Sequence, residues 1–118
     1  MTILAAIPGS SEGWAPLRAA ADEARTFGTD LVVINFGLAK LNKESLPTGV
    51  DLVLVERSAE EHEPADVVLT YLEEHPDVTR LVIGLPRRSP LGKFIFGSVS
   101  QQLLLDSPVP VLAVRTGA

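Results

Sequence analysis

The chain contains no cysteine, and only one tryptophan, one tyrosine and one methionine among its 118 residues. Without cysteine there is no disulfide scaffold, no thiolate zinc site and no thiol nucleophile. That usage suits a reducing, cytoplasmic setting. Basic residues are also few. Ten Lys and Arg stand against fifteen Asp and Glu, a formal net charge of −5, which argues against a globally basic nucleic-acid binder. The sparse aromatics are not interleaved with basic residues, as a stacking platform for single strands requires. No stretch approaches the roughly 20 apolar residues of a membrane span. The opening MTILAAIPGSSEG lacks the charged n-region of a signal peptide. These absences predict a soluble, cytoplasmic protein with neither nucleic acid nor membrane among its partners. What is present, 46% hydrophobic and 21% charged residues, predicts one folded domain over residues 1–118.

Short apolar runs alternate with helical patterns. Residues 3–7, closed by Pro8-Gly9, read as a buried strand. Pro16 fits a first helical turn, Leu17, Ala20, Ala21, Ala24 and Phe27 follow at helical spacing, and Gly28 marks the stop. Residues 31–36 and 51–56 read as the second and third strands, and the alternation of the third suggests one wetter face or an edge position. Pro64 opens a helix with Val67, Val68, Tyr71 and Leu72 on its apolar side, and Pro76 bars its continuation. Residues 81–85 are a fourth strand, Gly97-Ser98 leads into another helix, and residues 109–115 are a fifth strand. Pro108 and Pro110 at its start place that strand at a sheet edge. Continuous apolar strands alternating with helices imply a parallel sheet covered on both faces, a three-layer α/β/α sandwich. The second crossover, residues 37–50, is short. It predicts an abbreviated helix or a loop there, with one sheet face thinly covered. That thin face is either a partner surface or is capped by longer side chains.

Charge is unevenly placed. Residues 56–77 hold eight acids and one base, Arg57, which reads as a solvated helix face. Residues 80–93 hold Arg80, Arg87, Arg88 and Lys93 and no acid. This basic loop follows a strand's carboxyl end, where open α/β sheets bind ligands, and precedes a helix start, which favours an anion. Residues 84–98 therefore read either as a phosphate cradle or as a βα loop whose arginines pair with carboxylates.

Gly84-Leu85-Pro86-Arg87, nine residues, then Gly97-Ser98 resembles the nucleotide loop of universal stress proteins, whose pattern is Gly, two residues, Gly, nine residues, Gly, then Ser or Thr. The segment RRSPLGKFIFGSVSQQLLLDSPVPVLAVR is similar to the family's bacterial C-terminal segment, and ILAAIPGS to its opening. The resemblance covers the chain apart from residues 37–50. It implies a five-stranded parallel sheet of order 3-2-1-4-5, a stress-response regulatory role, and a homodimer through strand 109–115. It also implies that ATP or AMP is bound in some members, Mg2+ accompanying ATP. Carried over by position, the phosphates would meet Gly84, Arg87, Arg88, Gly97, Ser98, Val99 and Ser100. Base and ribose would lie near Ala6, Ile7, Pro8, Phe36 and Ile83. Two positions depart from the pattern. The second motif glycine is Arg87, and the acid that usually closes the first strand is Pro8. Arg87 either clasps a phosphate bidentately or fills the pocket itself. In that alternative the chain is a ligand-free dimeric interaction module read by a protein partner, with Pro8 and Arg87 closing the site.

Other motifs carry less. Gly9-Ser10-Ser11-Glu12-Gly13 matches the nucleophile elbow, yet the chain is too short for an α/β-hydrolase, and a Gly/Ser helix cap accounts for it. Seven residues, not four, separate Gly84 from Gly92-Lys93, so this is no P-loop. His62 between Glu61 and Glu63 lacks a second histidine at i+4, and His75 reads as a contact with a helix C-terminus. A phosphoacceptor receiver needs an acidic pair after its first strand, where Pro8-Gly9 stands. With no metal cluster and no well-placed base, the chain does not read as an enzyme.

Overall fold

The computed structural model describes residues 1–8, 14–37, 41–56, 63–85 and 98–115. Five strands, β1 (Thr2–Ile7), β2 (Asp30–Asn35), β3 (Leu52–Glu56), β4 (Val78–Leu85) and β5 (Val111–Arg115), pair in parallel in the order β3-β2-β1-β4-β5. This is the expected order. Every residue of the central strand β1 is buried. Both faces of that strand are covered, so its sequence runs apolar without alternation.

The two faces are separate cores. Ile3, Ala5 and Ile7 of β1 point to the face covered by α1 (Trp14–Phe27), where Leu17, Ala20, Ala21 and Ala24 meet them. Leu4 and Ala6 point to the opposite face, covered by α2 (Pro64–Glu74) through Val68 and Leu72 and by α3 (Ser98–Asp106) through Leu103. Each fully buried side chain such as Leu17 or Leu103 contributes about 1.5–3 kcal/mol. The three alanines on α1 let the helix lie close to the sheet.

α1 ends as Gly28 predicts. Gly28 takes φ +64°, its N–H donates to the Arg25 carbonyl (3.3 Å), and the Thr29 N–H donates to the Ala24 carbonyl (2.9 Å). This pair of bonds is a Schellman closure. The link from β2 to β3 contains only a 3-10 turn, Lys43–Ser45, capped by Asn42, whose Oδ1 accepts from the Glu44 N–H at 3.0 Å. Leu41, Leu46 and Val50 from this link fold down onto the α1-side core. Longer side chains thus cover much of the face that a second helix would have covered. An open cleft of about 700 Å3 remains between α1 and the link, lined in part by Trp14, Arg18 and Pro47.

Two strand limits differ from the sequence reading by two residues or more, the others by one at most. β4 starts at Val78 rather than residue 81, because Val78 pairs with Thr2 across a register shift. β5 starts at Val111 rather than residue 109. Pro110 has no N–H to give the ladder, and only its carbonyl joins, accepting from Leu81 N–H at 2.9 Å. Arg80 stands toward the amino end of β4, ion-paired to Glu23 of α1 at 2.7 Å, its guanidinium 5.4 Å from the Phe27 ring. It ties α1 to the sheet and lies at the opposite end of β4 from the basic loop with which its position in the sequence groups it.

Candidate functional site

From β1 the chain first builds outward through β2 and β3, then crosses back to add β4 and β5 on the other side. The sheet order therefore reverses between β1 and β4. At such a switch point the two crossovers lie on opposite faces and leave a crevice outside the carboxyl ends of the strands. Ile7-Pro8 and Gly84-Leu85 end there, and α3 begins just beyond, at Ser98.

One hydrogen bond fixes the start of α3 against the strand. Ser100 Oγ donates to the Gly84 carbonyl at 3.0 Å. The first turn of any α-helix has N–H groups that no preceding helical carbonyl can accept, and it carries the positive end of the helix dipole. Here that turn is held beside Gly84.

The structure brings several of the expected residues to this edge. Ala6 is paired with Ile83 across β1 and β4, and Ile7 with Asn35 across β1 and β2. The side chains of Ala6, Ile7 and Ile83 are fully buried, Ile7 in the core under α1 and Ala6 and Ile83 in the core under α2 and α3. Pro8, Phe36, Gly84, Val99 and Ser100 are half-buried. The Phe36 N–H donates to the Ile7 carbonyl at 3.0 Å, which holds the end of β2 against β1. Arg87, Arg88 and Gly97 lie outside the described residues, as do His62 and the Gly9–Gly13 motif. Ser98 opens α3.

The sequence reading did not single out Asn35 and Glu56. Asn35 closes β2 with its side chain fully buried. Its Nδ2 donates to Glu56 Oε2 at 2.8 Å and its Oδ1 accepts from the Gly37 N–H at 3.0 Å. Glu56 Oε1 in turn accepts from the Leu41 N–H at 3.4 Å. The pair stitches β2, β3 and the start and middle of the link into one rim, bordering the crevice on the β2 side. The signal was available: one amide and one carboxylate close adjacent apolar strands in register.

Elsewhere, His75 caps α2. Its Nδ1 lies 2.9 Å from the Tyr71 carbonyl. A carbonyl only accepts, so Nδ1 carries the proton. The two rings stack with centroids 3.8 Å apart. Burial, and then the Asp77 carboxylate, push the Tyr71 phenol above its ordinary value. This cluster lies at the carboxyl end of α2, beside the amino end of β4, and serves the fold. Among the described residues, no group of three or more His, Cys, Asp or Glu is placed to hold a metal ion. No described helix is long and apolar enough to cross a membrane.

Comparison with known proteins places this architecture. The model of the universal stress protein family matches residues 37–115. A curated universal stress protein of Mycolicibacterium smegmatis (strain ATCC 700084 / mc(2)155) is 55% identical over 42 residues, 36% of this chain and 32% of the relative. The matched stretch thus spans about a third of that relative's length. Among solved structures, a universal stress protein from Archaeoglobus fulgidus superposes with a TM-score of 0.71 at 29% identity, over 97% of this chain and 98% of that one. A universal stress protein from Archaeoglobus fulgidus in complex with dAMP shares the fold, with a TM-score of 0.63 at 24% identity over 97% of each chain.

Proposed function

The chain belongs to the universal stress protein family, and from that premise we propose that it is a stress-response regulatory protein that binds an adenine nucleotide or related phosphate ligand at the loop after β4. The observation that carries this reading is the placement of α3. Its first turn is tied to Gly84 by Ser100 Oγ at the switch point of the sheet, where backbone N–H groups and the helix dipole favour an anion. The dAMP complex of a protein with the same fold supports the choice of an adenine nucleotide. Arg87 adds a bidentate donor for phosphate, and Gly97 leaves room for close backbone approach. The ligand's role is regulatory: occupancy changes which surface a protein partner sees. The protein works as a homodimer through β5, which among the described residues pairs with β4 alone and ends the sheet.

A second reading has one specific observation in its favour. Pro8 closes β1 and brings no carboxylate for the nucleoside. In that reading Arg87 fills the site and the dimer is a ligand-free interaction module.

Calorimetric titration with ATP, AMP and cyclic AMP, each with and without magnesium, separates the two. Saturable binding that Gly97→Val abolishes, without loss of fold, is the expected result. Absence of binding by every nucleotide would transfer the argument to the ligand-free module.

A further inference from the structure

β3 is the sheet's other edge, and it lacks the devices that usually keep such an edge from pairing. Protective edges carry lysine, proline or a bulge. β3 reads Leu-Val-Leu-Val-Glu and keeps unbroken register with β2 over its whole length. The opposite edge differs, since Pro108 and Pro110 precede β5 and Arg115 ends it. Leu31 N–H donates to the Asp51 carbonyl at 2.8 Å. By strand alternation the peptide groups of Asp51, Val53 and Val55 turn to β2, and those of Leu52 and Leu54 turn to the open edge. The side chains of Leu52 and Leu54 pack into the α1-side core and Val55 into the other, while Val53 is left 58% exposed.

The surroundings of Val53 are acidic. A shallow cleft of about 290 Å3 runs past it at the amino end of the sheet, lined by Thr2, Asp30, Val32, Asp51 and Asp77 among others. Thr2 Oγ1 donates to Asp77 Oδ2 at 3.1 Å. Asp30, Asp51 and Asp77 are all exposed. Among the described residues no Lys or Arg lines this cleft.

We propose that the β3 edge is a docking surface that accepts an extended segment of a partner protein as a sixth strand, the segment carrying basic residues two positions from an apolar one, so that they share a face. Backbone pairing to Leu52 and Leu54 supplies the register, an apolar side chain covers Val53, and a Lys or Arg two positions along meets the carboxylate of Asp51, which shares the face and cleft of Val53 with Asp30. Charge selects this occupant over a second copy of the chain. An antiparallel copy would bring the carboxyl end of its own β3, with Glu56, toward the acidic corner. The surface lies at the end of the sheet away from β5 and does not depend on nucleotide binding.

The test uses the whole chain and a fluorescein-labelled heptapeptide with Val at its centre, Lys two positions to either side and Thr elsewhere, read by anisotropy. Two control peptides replace the central Val by Pro, or every Lys by Glu. Saturable binding is expected, weakened about tenfold or more by either control and by Val53→Lys or Asp51→Lys, because lost apolar contact and like charge both oppose strand pairing. Both substituted positions are exposed, so the variants keep the fold, which circular dichroism checks. Amide exchange should show new protection at Leu52 and Leu54, with little change at Val53. The proposal is overturned by an absence of saturable binding, by equal binding of the proline peptide, or by affinity that both variants leave unchanged. It is also overturned if sedimentation shows that Val53→Lys dissolves a dimer, for then the edge's occupant is a second copy.

Discussion

Asn35 shows how one residue can set the shape of the carboxyl rim. Its carboxamide is fully buried and bridges Glu56 and the Gly37 N–H. Asn35→Ala leaves these buried partners unmatched and should cost about 1–3 kcal/mol in urea denaturation, since an orphaned polar group keeps its desolvation penalty. Tyr71 makes a second prediction at this scale. Its phenol is raised above the ordinary value of 10.0 by burial and by Asp77. A raised folded-state value means that the folded protein holds this proton more tightly than the unfolded chain does. The corresponding stability is therefore fully present below about pH 10 and falls as pH climbs through the folded-state value. Tyr71→Phe should remove the tyrosine part of that alkaline loss, measured as the difference between the two proteins' melting temperatures from pH 9 to 12.

Among the elements, α1 is the most completely determined by local chemistry. Its apolar stripe, its small residues and its Gly28 closure all agree with the tertiary packing. Gly28 has space around it for a Cβ, so the cost of Gly28→Ala lies in the backbone alone. At φ +64° that cost should be about 1–2 kcal/mol by denaturant melting. The β2–β3 link shows what happens when a crossover is too short for a helix. Arg25 donates through Nη1 to Asp22 (3.0 Å) and through Nη2 to the Thr48 carbonyl, so α1 itself holds the link down. α3 is the element on which the functional reading turns, because its start is fixed to Gly84 by a hydroxyl in its own first turn.

For the whole molecule, the parallel sheet dictates where binding can occur. Its carboxyl edge gathers the ends of β1, β2 and β4 with the start of α3, and its amino edge gathers Asp30, Asp51 and Asp77. A nucleotide bound only by the native state should raise stability by about 2.7 kcal/mol at a hundredfold excess over Kd, or on the order of 10 °C in Tm for a domain of this size. A thermal melt with AMP or ATP checks this. Pairing through β5 should give a concentration-dependent dimer in sedimentation equilibrium. The exposed Leu104 and Leu105, in the helix that leads into β5, add apolar surface near that edge.

Composition and period alone determined that this chain would form alternating strands and helices around one parallel sheet. Continuous apolar runs of strand length mean burial on both faces, Pro64 and Pro76 restrict the backbone wherever they occur, and Gly28 frees it for a left-handed turn. The spacing from Gly84 to Gly97-Ser98 likewise located the candidate loop. Three other features depended on the tertiary structure. Arg80 belongs to a basic run in sequence but pairs with Glu23 at the other end of β4. Asn35 and Glu56 lie 21 positions apart and become partners only because β2 and β3 lie in register. Val53 sits in a strand whose alternation suggests one wetter face or an edge position, and the sheet order makes that strand an edge, with Val53 58% exposed. In each case the deciding quantity is a distance between residues far apart in the chain, and local propensity carries no information about such distances.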